Sequence, residues 1–81
     1  MFEVFIGKNK QGKDKKYIVV DHSALNTLKK CADLLTYCKK FFKCSEDHLR
    51  SYNGYVYKDG LYFDNPAIPG AKLVVIVTYA K

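Results

Sequence analysis

The segment KLVVIVTY, Lys72 to Tyr79, decides the fold of this chain. Its residues 73–77 are all apolar, and β-branched side chains predominate, which favours a strand over a helix. Because side chains alternate between the two faces of a strand, a strand that is apolar on both faces must be covered on both. We therefore predict that this segment is the central strand of a sheet, with a helix packed on one face.

The start of the chain predicts a β-hairpin. Phe2, Val4 and Ile6 face one side of the predicted strand, and Glu3 and Phe5 face the other. This alternation is typical of a half-buried strand, which would run from the first residue to Ile6. Gly7 to Lys16 is polar and rich in lysine, and we expect it to form a flexible loop. Tyr17 to Val20 then predicts the return strand.

A long amphipathic helix is predicted next, from about Ala24 to Phe42 or Lys43. Asp21 or Ser23 would cap its first turn by accepting a hydrogen bond from a backbone N–H group. Apolar residues recur at helical spacing on one side, which we expect to pack on the sheet. The residues of that side are Ala24, Leu28, Cys31, Leu35, Cys38 and Phe42.

The second half of the chain is divided by turn signals. Ser45 to His48 predicts a short second helical turn, and Asn53-Gly54 is expected to break the chain before the next strand. Asp59-Gly60 predicts a tight hairpin turn, because a type I′ turn needs positive φ at both central positions. Asn65-Pro66 would end this unit, and Pro69-Gly70 predicts a type II turn. The two strands of the hairpin are predicted at Tyr55–Lys58 and Leu61–Asp64.

These elements predict one α+β domain over residues 1–81, in the order β-β-α-(short α)-β-β-β. An opening hairpin, one crossing helix and a last strand in the middle describe a ubiquitin-like β-grasp. Its sheet would be mixed, with four to five strands and one long helix packed across it. The first and last strands would be parallel neighbours, since a parallel pair needs a long connection that contains a helix.

Three segments carry a resemblance to the ubiquitin-like superfamily: the first strand to Ile6, YVYKDGLYFDN from Tyr55 to Asn65, and IPGAKL from Ile68 to Leu73. The last two are also similar to doublecortin-type domains, which bind microtubules, and Ras-binding domains share the layout. The resemblance implies an interaction domain, with tubulin or a small GTPase as candidate partners. The chain ends Tyr79-Ala80-Lys81 rather than in Gly-Gly, so we expect no conjugation chemistry.

The lysines indicate what kind of partner to expect. The formal net charge is +6, and the whole excess lies in residues 1–43. Such an asymmetry predicts an acidic protein partner, and exposed tyrosines would add contact area. The predicted binding residues are Lys8, Lys10, Lys13, Lys15 and Lys16 of the first hairpin, Lys29, Lys40 and Lys43 of the helix, and Tyr55 and Tyr57 of the second hairpin.

Two other interpretations of these residues stay open. The helix lysines fall on its polar side, where they would serve solubility alone, and the tyrosines would suit ordinary sheet packing. Alternatively, the same lysines with stacking tyrosines would bind a nucleic acid, because lysines neutralise phosphates and aromatic rings stack on bases. No helix-turn-helix, RNA-recognition or KH signature supports that alternative.

Catalysis is not expected. Gly7 to Asp14 matches GxxxxGK after a strand, but Asp14 stands where a phosphate-binding loop needs Ser or Thr, and a strand rather than a helix is predicted next. His22 and His48 flank the helix without a neighbouring nucleophile or carboxylate that would make either a general base. We therefore predict a protein without catalytic residues and without a cofactor.

The cysteines also argue against a special site. Cys31, Cys38 and Cys44 are spaced by seven and six residues, whereas structural zinc sites favour close pairs. Cys31 and Cys38 are expected in the core, where cysteine packs as a small apolar residue, and Cys44 is expected to be exposed. An odd number of cysteines in one helical region favours a reducing, cytoplasmic location. No metal site and no transmembrane segment are predicted.

Overall fold

The computed structural model describes residues 2–8, 10–63 and 68–80. The class is α+β, as predicted, with one α-helix packed on a curled sheet of five strands. The elements are β1 (Glu3–Lys8), β2 (Asp14–Asp21), α1 (Leu28–Phe42), β3 (Leu49–Tyr57), β4 (Gly60–Phe63) and β5 (Lys72–Tyr79), with 3-10 turns at His22–Ala24 and Glu46–His48. The predictions for Met1, for Asp64 and for Asn65-Pro66 lie outside the described residues.

The strand order is β1-β2-β5-β3-β4, and every neighbouring pair is antiparallel. β5 is thus central, as predicted. The mixed sheet with β1 parallel and adjacent to β5 is wrong, because β2 lies between them. The reason is that β2 is also buried on both faces: Ile18, Val19 and Val20 are all buried, so β2 takes an interior position and β1 is left at the edge.

Two small cores lie on opposite faces of the sheet, as the alternation of β2 and β5 requires. On the helix face, Ile18, Val20 and Val77 pack with Leu34 and Cys38 of α1. The second face carries a cluster without helical residues. Its buried members are Val19, Val74 and Ile76, with Phe5, Tyr17, Val56 and Leu61 packed against them.

The sheet covers its own second face by curling. Residues of both edge strands, β1 and β4, line one cavity of about 370 Å³. β3 runs straight through Asn53-Gly54, so the predicted break there is wrong. Glycine is needed at position 54 for packing, because a Cβ atom there would touch the Ile76 side chain and lie 2.6 Å from the Tyr62 carbonyl oxygen.

Both predicted tight turns are present, one of them shifted. In the β3–β4 hairpin the two central residues are Lys58 and Asp59, with φ of 46° and 64°, one residue earlier than predicted. At Pro69-Gly70 the prediction is confirmed: Gly70 has φ of 85°, and the Ala71 N–H donates to the Ile68 carbonyl at 3.0 Å.

α1 is shorter than predicted because a different residue caps it. The Thr27 hydroxyl accepts a hydrogen bond from the Lys30 N–H at 3.2 Å, and the helix begins at Leu28. The Asp21 carboxylate instead accepts from the N–H and the hydroxyl of Ser23, at 3.2 and 3.0 Å, and caps the preceding 3-10 turn. The helix ends where Lys43 adopts a left-handed conformation, with φ of 55°.

The apolar side of α1 contacts the sheet through its middle and C-terminal turns. Leu34 and Cys38 are buried, whereas Leu28 is 90% exposed and Cys31 is exposed. The predicted core position of Cys31 is therefore wrong, because the first turns of α1 extend beyond the packed part of the sheet. The apolar side of α1 therefore extends beyond the part of the helix that contacts the sheet.

Candidate protein-interaction surface

The lysine-rich segment Gly7 to Lys16 is strand at both of its ends, so the loop between the first two strands is shorter than predicted. β1 continues to Lys8 and β2 begins at Asp14, where the two residues face each other across the hairpin. The Lys8 ammonium lies 2.6 Å from the Asp14 carboxylate, and both side chains are largely exposed. Such exposed pairs stabilise a fold by at most about 1 kcal/mol, so this one fixes the hairpin geometry more than its stability.

Lys15 and Lys16 lie on opposite faces of β2, and each rests on an aromatic ring. The Lys15 ammonium lies 6.0 Å from the centre of the Tyr17 ring, on the second face. The Lys16 ammonium lies 5.7 Å from the centre of the Phe41 ring, in the last turn of α1. Cation–π contacts of this kind contribute roughly 0.5–1 kcal/mol at exposed sites. The contact of Lys16 joins the hairpin to the C-terminal end of the helix.

One end of the molecule is therefore rich in lysine. A cavity of about 260 Å³ there is lined by both Lys16 and Phe42, next to the end of α1. We call this surface the basic end, and it comprises Lys8, Lys10, Lys13, Lys15 and Lys16 from the hairpin and Lys40 and Lys43 from the end of α1. The helix lysines also complement the negative end of the helix dipole, a purely structural benefit.

Three predicted binding residues lie elsewhere. Lys29 is in the first turn of α1, eleven residues and about 16 Å along the helix axis from Lys40. Tyr55 and Tyr57 are half-buried on β3, and Tyr55 faces Leu73 at the start of β5. The hairpin lysines instead lie beside the end of β5. Along β5 the tyrosines and the basic end therefore lie at opposite ends, although the curl of the sheet places Gly60, the partner of Tyr57, on the same cavity as Lys8.

β1, predicted as a half-buried strand, leaves two of its apolar side chains exposed. Val4 is 42% and Ile6 65% exposed, and Ile6 faces Lys16 across the β1–β2 pair. Phe2 shares their parity and does pack, at 5.0 Å between ring centres, against Tyr37 of α1. The alternation of β1 predicted its two faces correctly but not which of them would be covered.

A second apolar feature, a cleft between α1 and β3, was not predicted. Its volume is about 310 Å³, near the lower limit for small-molecule sites. Apolar side chains from both elements line it, including Leu35 and Leu49, and Glu46 lies at its rim. The exposure of Cys31 beside it follows from the same separation of helix and sheet.

The cysteines and histidines form no recognisable catalytic or metal centre among the described residues, which contain no group of three potential metal ligands. Burial raises the pKa of the Cys38 thiol to about 11, and the neighbouring Cys44 adds to that effect. His48 Nδ1 lies 3.1 Å from the Ser45 hydroxyl. His22 is exposed in a 3-10 turn. Each histidine is thus explained by local structure at a helix end.

The loop that matches GxxxxGK does not have the surroundings of a phosphate-binding loop. β2 begins at Asp14, so a strand follows the loop and no helix N-terminus faces it.

The chain has no significant match to a protein-family model, to a curated protein or to a solved structure. In the described ranges, α1 is too short and too polar to cross a membrane.

Proposed function

We propose that this chain is a non-catalytic protein-interaction module that binds an acidic protein partner through its basic end. The observation that carries the proposal is the contact of the Lys16 ammonium with the Phe41 ring at 5.7 Å. It places the hairpin lysines beside the C-terminal end of α1, which carries Lys40 and Lys43. Such a surface attracts an oppositely charged partner and orients it during encounter.

Exposed aliphatic side chains favour a protein partner over a nucleic acid. Ile6 lies directly beside Lys16 and is 65% exposed. Protein interfaces combine an apolar centre with a polar rim, whereas nucleic-acid interfaces are more polar and more positively charged. The nucleic-acid alternative also needs aromatic rings beside the lysines. Tyr55 and Tyr57 are half-buried and pair with the start of β5 and with β4, which leaves less ring surface for stacking on bases.

The ubiquitin-like resemblance of the sequence agrees with this class of function, since such domains commonly serve as interaction modules. The strand order does not support the assignment of a β-grasp fold, because β2 and not β1 lies beside β5. Tubulin and a small GTPase, the partners that the resemblance suggests, therefore enter as test proteins only. A cytoplasmic location is part of the proposal, because three cysteines without a disulfide suit a reducing compartment.

Charge reversal at two places tests the proposal with matched controls. K10E/K13E reverses two lysines at the hairpin tip, and K29E/K30E reverses two in the first turn of α1, so both variants lose the same net charge. Glutamate at a helix N-terminus is favourable, so the second variant should fold normally. Proteins captured from an extract of the source cells, with and without nuclease treatment, are compared across wild type and both variants.

We expect the wild type and K29E/K30E to retain the same proteins, and K10E/K13E to bind them about tenfold more weakly, since each reversed exposed pair is worth up to about 1 kcal/mol. Equal binding by both variants would show that the basic end is not the contact. Loss of all binding after nuclease treatment would replace the acidic protein with a nucleic acid. Purified tubulin and a small GTPase are assayed in the same way.

A further inference from the structure

β1 is an edge strand whose middle lacks the usual protection of an edge, since its charged residues, Glu3 and Lys8, lie at its two ends. It pairs with β2 on one side, and no described strand pairs with its other side. Edge strands normally carry inward-pointing charges, prolines or bulges that prevent a further strand from adding. The middle of β1 instead reads Val4-Phe5-Ile6, with Val4 and Ile6 exposed on the helix face. Its backbone N–H and C=O groups thus border an apolar surface.

The cavity beside this edge has a suitable shape and lining for an added segment. It lies between β1 and β4 and measures about 370 Å³. Phe5, Leu61 and Phe63 give it apolar walls, and Lys8 and Asp59 also line it. The curl of the sheet brings the two edge strands towards each other but leaves this gap between them. A closed sheet would have no such gap and no such edge.

We propose that an extended acidic segment of the partner adds to the outer edge of β1 as a sixth strand, beside the cavity that separates β1 from β4. This inference rests on the proposed function and specifies how the partner binds. Backbone hydrogen bonds to β1 would supply affinity, and alternate side chains would supply specificity, as in other cases of strand addition.

The surroundings of β1 define the chemistry of that segment. On the helix face the apolar residues of the segment would cover Val4 and Ile6. On the opposite face its carboxylates would approach the Lys15 ammonium, because Lys15 lies on that face and pairs with Gly7 of β1. The expected segment therefore alternates apolar and acidic residues.

A second copy of this chain is a weaker candidate for the same edge. Antiparallel pairing of β1 with β1 of another molecule would bring together two chains of net charge +6. Like charges of that size repel each other. An acidic segment removes the same apolar surface from water and is attracted by the positive charge.

Two synthetic peptides separate strand addition from charge attraction. The first is a labelled nine-residue peptide of alternating Glu and Val, and the second has Pro in place of every Val, which preserves its charge but removes backbone donors. Affinities are measured by fluorescence anisotropy at low salt. Hydrogen exchange of the amides of residues 3–8 is measured with each peptide bound.

We expect the Val peptide to bind more tightly than the Pro peptide and to slow exchange of the outward amides of β1 about tenfold or more. Ile6→Ser should weaken the Val peptide about tenfold, because the exposed side chain would be buried in the complex. Leu28→Ser is the matched control, since Leu28 is 90% exposed and lies in the first turn of α1. It should leave the affinity unchanged.

Three results would overturn the inference. Equal binding of both peptides, with unchanged exchange in β1, would leave charge attraction to the basic end but exclude strand addition. Binding of neither peptide would also exclude it, while the capture experiment with K10E/K13E decides the proposed function separately. Sedimentation that shows a dimer of the wild type, dissociated by Ile6→Ser, would assign the edge to a second copy.

Discussion

Gly54→Ala is the substitution that tests the curled sheet most directly. A Cβ atom at this position would lie 2.6 Å from the Tyr62 carbonyl oxygen and would also touch the Ile76 side chain. Non-bonded heavy atoms prefer about 3.5–4.0 Å, so the backbones of β3 and β4 must move apart. Forced overpacking costs roughly 1–3 kcal/mol, and the intrinsic preference of a strand for alanine over glycine offsets about 0.5–1 kcal/mol of it.

We therefore expect Gly54→Ala to lower the free energy of unfolding by about 1–2 kcal/mol, measured by urea denaturation followed by circular dichroism. Gly7→Ala is the matched control on β1. The added atom would lie 3.2 Å from an outer ring carbon of Tyr17, a side chain that can rotate, and we expect little change. Combining Gly54→Ala with Ile76→Val should recover part of the loss, because Val lacks the δ-methyl group that the new Cβ would touch.

A stabilising effect of Gly54→Ala would refute this reasoning. Where glycine has ordinary backbone angles and open space around it, alanine stabilises a protein by about 0.4–1 kcal/mol through the unfolded state. The sign of the measured change thus distinguishes a close approach of β3 and β4 from an open one. An equal cost of Gly54→Ala in the wild type and in the Ile76→Val background would assign the conflict to the Tyr62 carbonyl oxygen alone.

Three further predictions concern α1. Leu34→Ala should lower the free energy of unfolding by about 2–5 kcal/mol, because Leu34 is buried in the core. Leu28→Ala should change the free energy of unfolding by less than about 0.5 kcal/mol, because Leu28 is exposed. Chemical denaturation of both variants checks this. Thr27→Ala should cost about 1 kcal/mol through the lost cap of the Lys30 N–H, and equal stability in the same denaturation assay would contradict it. In the folded protein Cys31 should react with a thiol reagent at least about 100-fold faster than Cys38, because burial raises the pKa of the Cys38 thiol to about 11 and closes access; mass spectrometry of labelled peptides over time gives the order.

Much of the fold follows from local patterns. The two-sided apolar run of β5 predicts a central strand, and the amphipathic period of residues 28–42 predicts the helix. The residue types predict the turn at Pro69-Gly70, because glycine readily takes the positive φ that a type II turn requires. The helix start was misplaced because Asp21, Ser23 and Thr27 are all competent caps, and only tertiary packing selects among them.

The candidate surface was harder to predict than the fold. Composition shows that the first half of the chain is basic, but the grouping of its lysines depends on Lys16 meeting Phe41, twenty-five residues away in sequence. Tyr55 and Tyr57 lie on the same face of β3, as the alternation of a strand requires. Their position at the far end of the sheet depends on strand register, and parity carries no information about register.

The width of a helix explains both the error in strand order and the exposure of β1. A helix is about 10–12 Å wide and neighbouring strands are about 4.8 Å apart, so one helix covers roughly two strands. β2 has four consecutive apolar residues, Tyr17 to Val20, and β5 has five, Leu73 to Val77, whereas β1 has only three, Val4 to Ile6. A single helix over five strands therefore requires those two strands to be neighbours beneath it. β1 must then lie beyond the helix, which leaves Val4 and Ile6 uncovered beside the lysines of the basic end.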